Sequence, residues 1–359
     1  MMQRHALAAR RHSRGLSLVE LMVAMAIGMV ILAGLSVLFA NNSRTRGEIE
    51  RSSQKIENGR QALDLGGADL EHAGFLAEFD PRDLPLPAAK PDPCASTAAD
   101  LRAAMGVHVQ GYDDGAATVG CITDVKAGTG VVVVRRATTC IAGVGDCAAL
   151  AAGAPGFQAS SCNDPLLPEL ATGVVDNFYR LSTSPADFTL TRRDCATAAP
   201  VRRYLVRIYY IANNDRPNDG MPTLKRAELG PGGFSSVSVV QGVEHLQVEY
   251  GLDTNGDGNP DTYSASPDTY LGCGPATAPT CVEHWASVVT AKLFILSRNP
   301  DRSPGHVDTK TYSLGQVADA TSGSGAPLVV GPFGDAFKRS VFQEVVRLQN
   351  ASSRRFSPS

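Results

Sequence analysis

The sequence predicts an α+β fold in which one long N-terminal helix, transmembrane in its first half and amphipathic in its second, packs on an antiparallel β-sheet. Three observations predict it. From Leu21 to Ala40 the chain runs without a charge or a proline; no proline occurs before Pro81; and beyond that point, where all 22 prolines lie, short β-branched runs alternate with turn-forming residues. The switch from helical to strand period, with turns rich in Gly and Pro, separates a helix from a sheet within one chain.

The uncharged run comes first. At about 1.5 Å rise per residue it spans roughly 30 Å, the hydrocarbon thickness of a bilayer. Arg4, Arg10, Arg11 and Arg14 all precede it and no acid accompanies them. Cytoplasmic flanks carry such an excess of basic residues, so the N-terminus is expected in the cytoplasm and the rest of the chain on the opposite side. An ordinary secretory signal peptide has a shorter apolar region without an acid. Here Glu20 stands almost at the start of the run, and a carboxylate so near a bilayer interior is costly enough to imply a function.

After the run, Ile49, Ile56, Leu63 and Leu70 recur every seven residues among Arg, Glu, Gln and Lys. This is a narrow apolar stripe on a polar helix, and helix from Leu16 to about His72 would be roughly 85 Å long. Gly59, Gly66 and Gly67 weaken a coiled-coil seam, which leaves packing under a sheet as the expected use of the stripe. Strands are expected at Val131–Arg136, Val174–Leu181, Tyr204–Ala212, Val237–Leu252, Ser287–Ser297 and Ser340–Leu348. Loops are expected at Pro85–Ala99, Ala142–Ser161 and Ala318–Pro327.

The segment Gly15-Leu-Ser-Leu-Val-Glu20, behind a basic leader and ahead of the uncharged span, resembles the class III signal of type IV prepilins and type II secretion pseudopilins. The resemblance implies that a membrane peptidase cuts between Gly15 and Leu16, that Leu16 becomes an N-methylated terminus, and that Glu20 serves filament assembly. Leu16 stands where Phe is usual. A glycine suits the cleavage site because it lets the backbone enter a cleft extended. Glu20 would meet the terminal amine of a neighbouring subunit, each charge offsetting the burial of the other.

Leu18-Val-Glu-Leu-Met-Val-Ala-Met-Ala-Ile-Gly28 and the final Arg339-Ser-Val-Phe-Gln-Glu-Val-Val-Arg-Leu-Gln-Asn350 resemble the start and end of PilW-like minor pilins; pseudopilins of the GspJ type share much of the pattern. The implied fold is the pilin fold. Residues 1–15 would be leader, 16–40 the transmembrane and 41–80 the amphipathic half of the helix, and 81–359 a periplasmic β-rich domain. The implied partners are the inner membrane, the prepilin peptidase, other minor pilins, the major pilin and a tip adhesin. The implied role is pilus assembly in a tip or priming complex. A membrane-tethered binding or adhesin domain is the reading from another class.

Eight cysteines, all beyond the apolar run, suit an oxidising compartment and disulfides; free buried thiols are the alternative. Spacing leaves the connectivity open, with Cys140–Cys147 and Cys273–Cys281 as the local candidates. Asp253-Thr-Asn-Gly-Asp-Gly-Asn-Pro-Asp261 opens like an EF-hand calcium loop, with side-chain oxygens at Asp253, Asn255, Asp257 and Asp261 and a carbonyl at Asn259. Its twelfth position is Ser264 rather than Glu, and a polar turn built from Asn-Gly and Asp-Gly is the other reading. No cofactor is required. A formal net charge of −3 argues against a nucleic-acid partner held by a broad basic face. No nucleophile elbow, phosphate loop or dinucleotide fingerprint is present, so no enzyme is expected. His245, His284 and Trp285 are expected to pack or to sit on strand faces.

Overall fold

The computed structural model describes residues 15, 17–81, 84–115, 119–164, 166, 177–268, 270–272, 278–317 and 325–355. The chain divides into two compact units, residues 1–51 and 52–359. Helix α1 (Leu18–Glu71) contributes to both.

In the first unit α1 buries nothing, and from Leu21 to Ala40 it is apolar on every side. Leu18, Val30 and Phe39 are each more than 70% exposed, and residues through Phe39 lie open all round. The few hydroxyls answer to the helix itself: Ser36 Oγ donates to the Leu32 carbonyl at 2.8 Å and Thr45 Oγ1 to Asn41 at 3.0 Å. This helix is long and apolar enough to cross a membrane.

In the second unit α1 covers a sheet. Its buried positions are Lys55, Gly59, Ala62, Leu63, Gly67, Asp69 and Leu70. The expected stripe is therefore half right: Leu63 and Leu70 are core, whereas Ile49 is exposed and Ile56 is 39% exposed. Small residues carry the contact instead, because the backbone comes too close for larger ones. A Cβ on Gly59 would overlap the Phe342 ring. The helix also stops at Glu71, so residues 72–80, expected within its amphipathic half, are turn and coil. Three residues on, Gly74 adopts φ +73°, open to glycine, and gives its N–H to the Arg135 carbonyl at 2.9 Å.

Among the described residues the β-structure forms three sheets. The larger, of seven strands, contains β1 (Val109–Tyr112), β2 (Val131–Ala137), β3 (Gly156–Ala159), β4 (Tyr179–Ser182), β5 (Val201–Ala212), β6 (Thr223–Gly230) and β7 (Gly233–Gln241). Its long strand β5 pairs with β2, β3 and β6, and β7 pairs with β6 alone. The second sheet follows the order β13-β10-β8-β9, from β8 (Val243–Leu252), β9 (Thr262–Ser264), β10 (Val288–Arg298) and β13 (Arg339–Arg347). A hairpin of β11 (Tyr312–Val317) and β12 (Ala326–Val330) forms the third. Short helices α2 (Ala98–Ala103), α3 (Ala278–Ala286) and α4 (Gln349–Arg355) and the 3₁₀ turns Pro185–Asp187 and Tyr270–Gly272 are the remaining elements among the described residues. Every pairing is antiparallel.

Period-2 burial builds two cores on one sheet. Val132, Val134, Tyr209 and Ile211 face a core shared with Leu246, Val248, Leu293, Ile295 and the helix residues Ala62, Leu63 and Leu70. Val131, Val133, Val206 and Ile208 face the other way, toward Leu76, Phe79, Leu101 and Phe157. A strand buried on both faces reads as a continuous apolar run, which is how Val131-Val-Val-Val134 reads.

Some expectations fail here. Val237–Leu252 is two strands, because Gly242 at φ +73° turns the chain beside the Arg298 carbonyl; a Cβ there would lie 2.9 Å from that oxygen. The expected loop 142–161 holds β3, and Pro85–Ala99 ends in α2. Of Val174–Leu181, residues 174–176 lie outside the described residues and the strand begins at Tyr179.

Candidate functional site

Glu20 is held where the helix begins. The Ser17 carbonyl accepts the Leu21 N–H at 3.1 Å, making Ser17 the N-cap, and Glu20 Oε2 accepts the Ser17 N–H at 3.4 Å. This is half of a capping box, the third helical residue reaching back to an otherwise unpartnered donor. A carboxylate in the first turn also meets the positive end of the helix dipole. A Cβ on Gly15 would meet nothing within 4 Å. Leu16, the expected cleavage and methylation residue, lies outside the described residues, as do 1–14.

Within the second unit, α1 is fixed by charge as well as packing. Asp69 receives Arg136 Nη2 at 2.7 Å, Arg207 Nη1 at 2.8 Å and the Tyr209 hydroxyl at 2.5 Å. Burial would raise its carboxyl, but Arg207, the Tyr209 hydrogen bond and Arg136 hold it below the usual carboxylate range. Sequence reasoning missed this knot, whose partners lie 67 to 140 positions apart in the chain. A second knot lies at the start of β13, where the fully buried Arg339 side chain binds Glu244, Asp308 and Asp335. The Phe333 ring stacks on that guanidinium at 3.8 Å.

The Asp253–Asp261 loop folds about its own carboxylates. Asp253 is 1% exposed and accepts the N–H groups of Gly256 at 2.6 Å and Gly258 at 2.9 Å. Asn255 accepts from Asp257 and Asp257 from Asn259. Asp261 accepts from the Thr254 and Asn255 backbones and from the Asn255 amide. Among the described residues no group of three or more His, Cys, Asp or Glu side chains is placed to hold a metal ion. The loop oxygens are engaged with donors from the loop itself.

Among the described residues, disulfides join Cys94 to Cys121, Cys140 to Cys147 and Cys162 to Cys195. The expected pairing of Cys273 with Cys281 lies outside the described residues. Trp285 is fully buried and donates its Nε1–H to Asp268 at 2.7 Å, and Lys90 lies between it and Tyr112. His245 is buried on β8, and that burial lowers it to about 4, so it is neutral near pH 7.

An exposed apolar helix behind a glycine and a capping glutamate, joined to a sheet domain with disulfides, defines a type IV pilin-like protein. Residues 10–36 match the prokaryotic N-terminal methylation motif, and residues 208–350 match the model of type IV pilus-assembly protein W. The chain is PilW-like: its match runs from within β5 to the start of α4 and so includes the whole second sheet. A type IV-like pilin from Thermus thermophilus is similar at 15% identity, over 62% of this chain and 78% of that one, with a TM-score of 0.23 that carries no weight here. No curated protein sequence matches the chain.

Proposed function

We propose that the chain is a minor pilin, cut after Gly15 by a prepilin peptidase, methylated at Leu16, anchored in the inner membrane by α1 and passed into a type IV pilus. The sheet domain then lies in the periplasm, and the subunit works in a tip or priming complex with other minor pilins, the major pilin and a tip adhesin. The observation that carries this reading is Glu20 at the first turn of a helix whose apolar surface is uncovered. Cleavage after Gly15 would place a new amine four residues before Glu20, on the chain that already bonds that carboxylate through Ser17. A neighbouring subunit's carboxylate or amine could then replace this weak local contact. No cofactor and no catalysis enter the reading.

The test is the intact mass and N-terminal sequence of the membrane-extracted protein, with and without the peptidase. A chain beginning at methylated Leu16 only when the peptidase is present is expected; one starting at Met1 in both strains would end the proposal. Glu20→Ala is expected to be processed normally yet recovered poorly from sheared filaments. Unchanged recovery would favour a tethered domain that never enters a filament.

A further inference from the structure

The charges around Asp69 do not balance. Four guanidiniums, of Arg136, Arg203, Arg207 and Arg226, surround two carboxylates, Asp69 and Glu228. Glu228 is bound by Arg203 at 2.8 Å and Arg207 at 2.7 Å, which leaves Arg226 at 4.0 Å. The Arg226 Nε is buried and has no hydrogen-bond partner. A buried donor without a partner costs free energy until something supplies an acceptor. Arg226 lines a surface depression of about 430 Å³ together with Ser235 and Val237 of β7.

β7 is itself incomplete. Among the described residues it pairs only with β6, so its outer edge offers backbone N–H and C=O groups along Gly233–Val240, while the Gln241 carbonyl accepts from the Asn58 amide of α1 at 3.0 Å. No residue of that strand is charged and none is proline, and Val237 is 50% exposed. The other edges of the two larger sheets are guarded. β13 carries Arg339, Glu344 and Arg347, while β1, β4 and β9 have four residues or fewer. Proteins normally blunt a long edge with charge, proline or brevity, because a bare one recruits another strand.

We infer that β7 is a docking edge for an extended strand of another protein, added by backbone hydrogen bonds and carrying an acidic side chain that seats against Arg226. The alternation of donors and acceptors along the edge selects a peptide; a phosphate or lipid headgroup would meet the donors only. The acid follows from four guanidiniums sharing two carboxylates, with Arg226 the most distant from its own, and the depression gives its side chain room. Strand addition of this kind takes affinity from the backbone and selectivity from alternate side chains. The inference stands whether or not the chain enters a pilus.

The test uses the full-length chain in detergent and a fluorescein-labelled nonapeptide of alternating Thr and Val with Glu at its centre, followed by anisotropy. Two further peptides are N-methylated on the alternate amides of one edge or of the other. Saturable binding is expected, weakened about tenfold or more by methylation of one edge and little by the other. Arg226→Gln and a Gln-for-Glu peptide are each expected to weaken it, with no further loss when combined, since they remove one interaction. Three results would overturn the inference. They are equal binding of both methylated peptides, no saturation up to about 1 mM, and self-association of the chain that Val237→Lys abolishes, which would make a second copy the occupant.

Discussion

Between Leu18 and Phe39 helix α1 carries Leu, Val, Met and Ile on every side, all of them open; between Ser52 and Glu71 it carries one narrow stripe, closed against the chain's own sheets. Gly28 and Gly34 in the first stretch have nothing within 4 Å of where a Cβ would stand, while Gly59 in the second has the Phe342 ring pressed against that position. A helix that is apolar all round needs a surrounding apolar medium, and one with a stripe needs a single surface. The chain supplies the second surface and not the first. The same residue type therefore means different things in the two stretches: glycine is spare room in one and a steric requirement in the other.

The largest expected effect lies where the striped stretch is tied by charge. Asp69→Ala leaves Arg136 and the Tyr209 hydroxyl without their carboxylate and is expected to cost about 3–5 kcal/mol in a urea melt of the full-length chain. Because Asp69 is held below the ordinary carboxylate range, its contribution is complete above the unfolded value near 3.8 and is lost as pH falls through its lower folded value. The difference between wild type and Asp69→Ala should stay level from about pH 6 to 8 and shrink below about pH 4. A difference that grew on acidification would show that Asp69 is neutral in the fold.

Next comes the glycine contrast. Gly59→Ala pushes a Cβ into the Phe342 ring and is expected to cost about 1–3 kcal/mol. Phe342→Ala should recover part of that loss in a double-mutant cycle. Gly34→Ala should leave the melt of the sheet domain unchanged. If the two alanines cost the same, the contrast between the stretches is one of composition only.

How much of this was legible follows from where each partner sits. The apolar run, Gly15 and Glu20 lie within one window, β2 opens with four valines, and β10 and β13 are rich in Val, Ile, Leu and Phe, so local reading finds them. The Asp69 knot joins residues 67 to 140 positions apart, and no local pattern marks it. β3 escaped because Gly-Phe-Gln-Ala has no β-branched residue. Its place was set by pairing with β5, a tertiary choice that overrides propensity. The break at Gly242 was present as a single glycine inside an alternating pattern, a signal of a turn or close approach that the period alone drowned. Helix α3 begins Ala278-Pro279, where a proline fits a first turn, yet it reads as punctuation in a Pro- and Thr-rich stretch.

The smallest expected effect tests whether the sheet domain supplies everything it needs. In the Asp253–Asp261 loop the carboxylates already hold backbone N–H groups, and Asp253 is buried doing so. An ion would have to use the remaining lone pairs without the bidentate twelfth ligand, since that position is Ser264. A site of such ligands is weak, and at a calcium concentration equal to a dissociation constant the gain is only about 0.4 kcal/mol. The thermal midpoint in about 1 mM calcium should therefore match that in EGTA to within about 1–2 °C, whereas Asp253→Ala, which strands the buried Gly258 N–H and frees that of Gly256, should lower stability by about 1–3 kcal/mol in either buffer. A midpoint several degrees higher in calcium, lost in Asp253→Ala, would show that this part of the molecule also depends on something outside the chain, as the apolar stretch of α1 does.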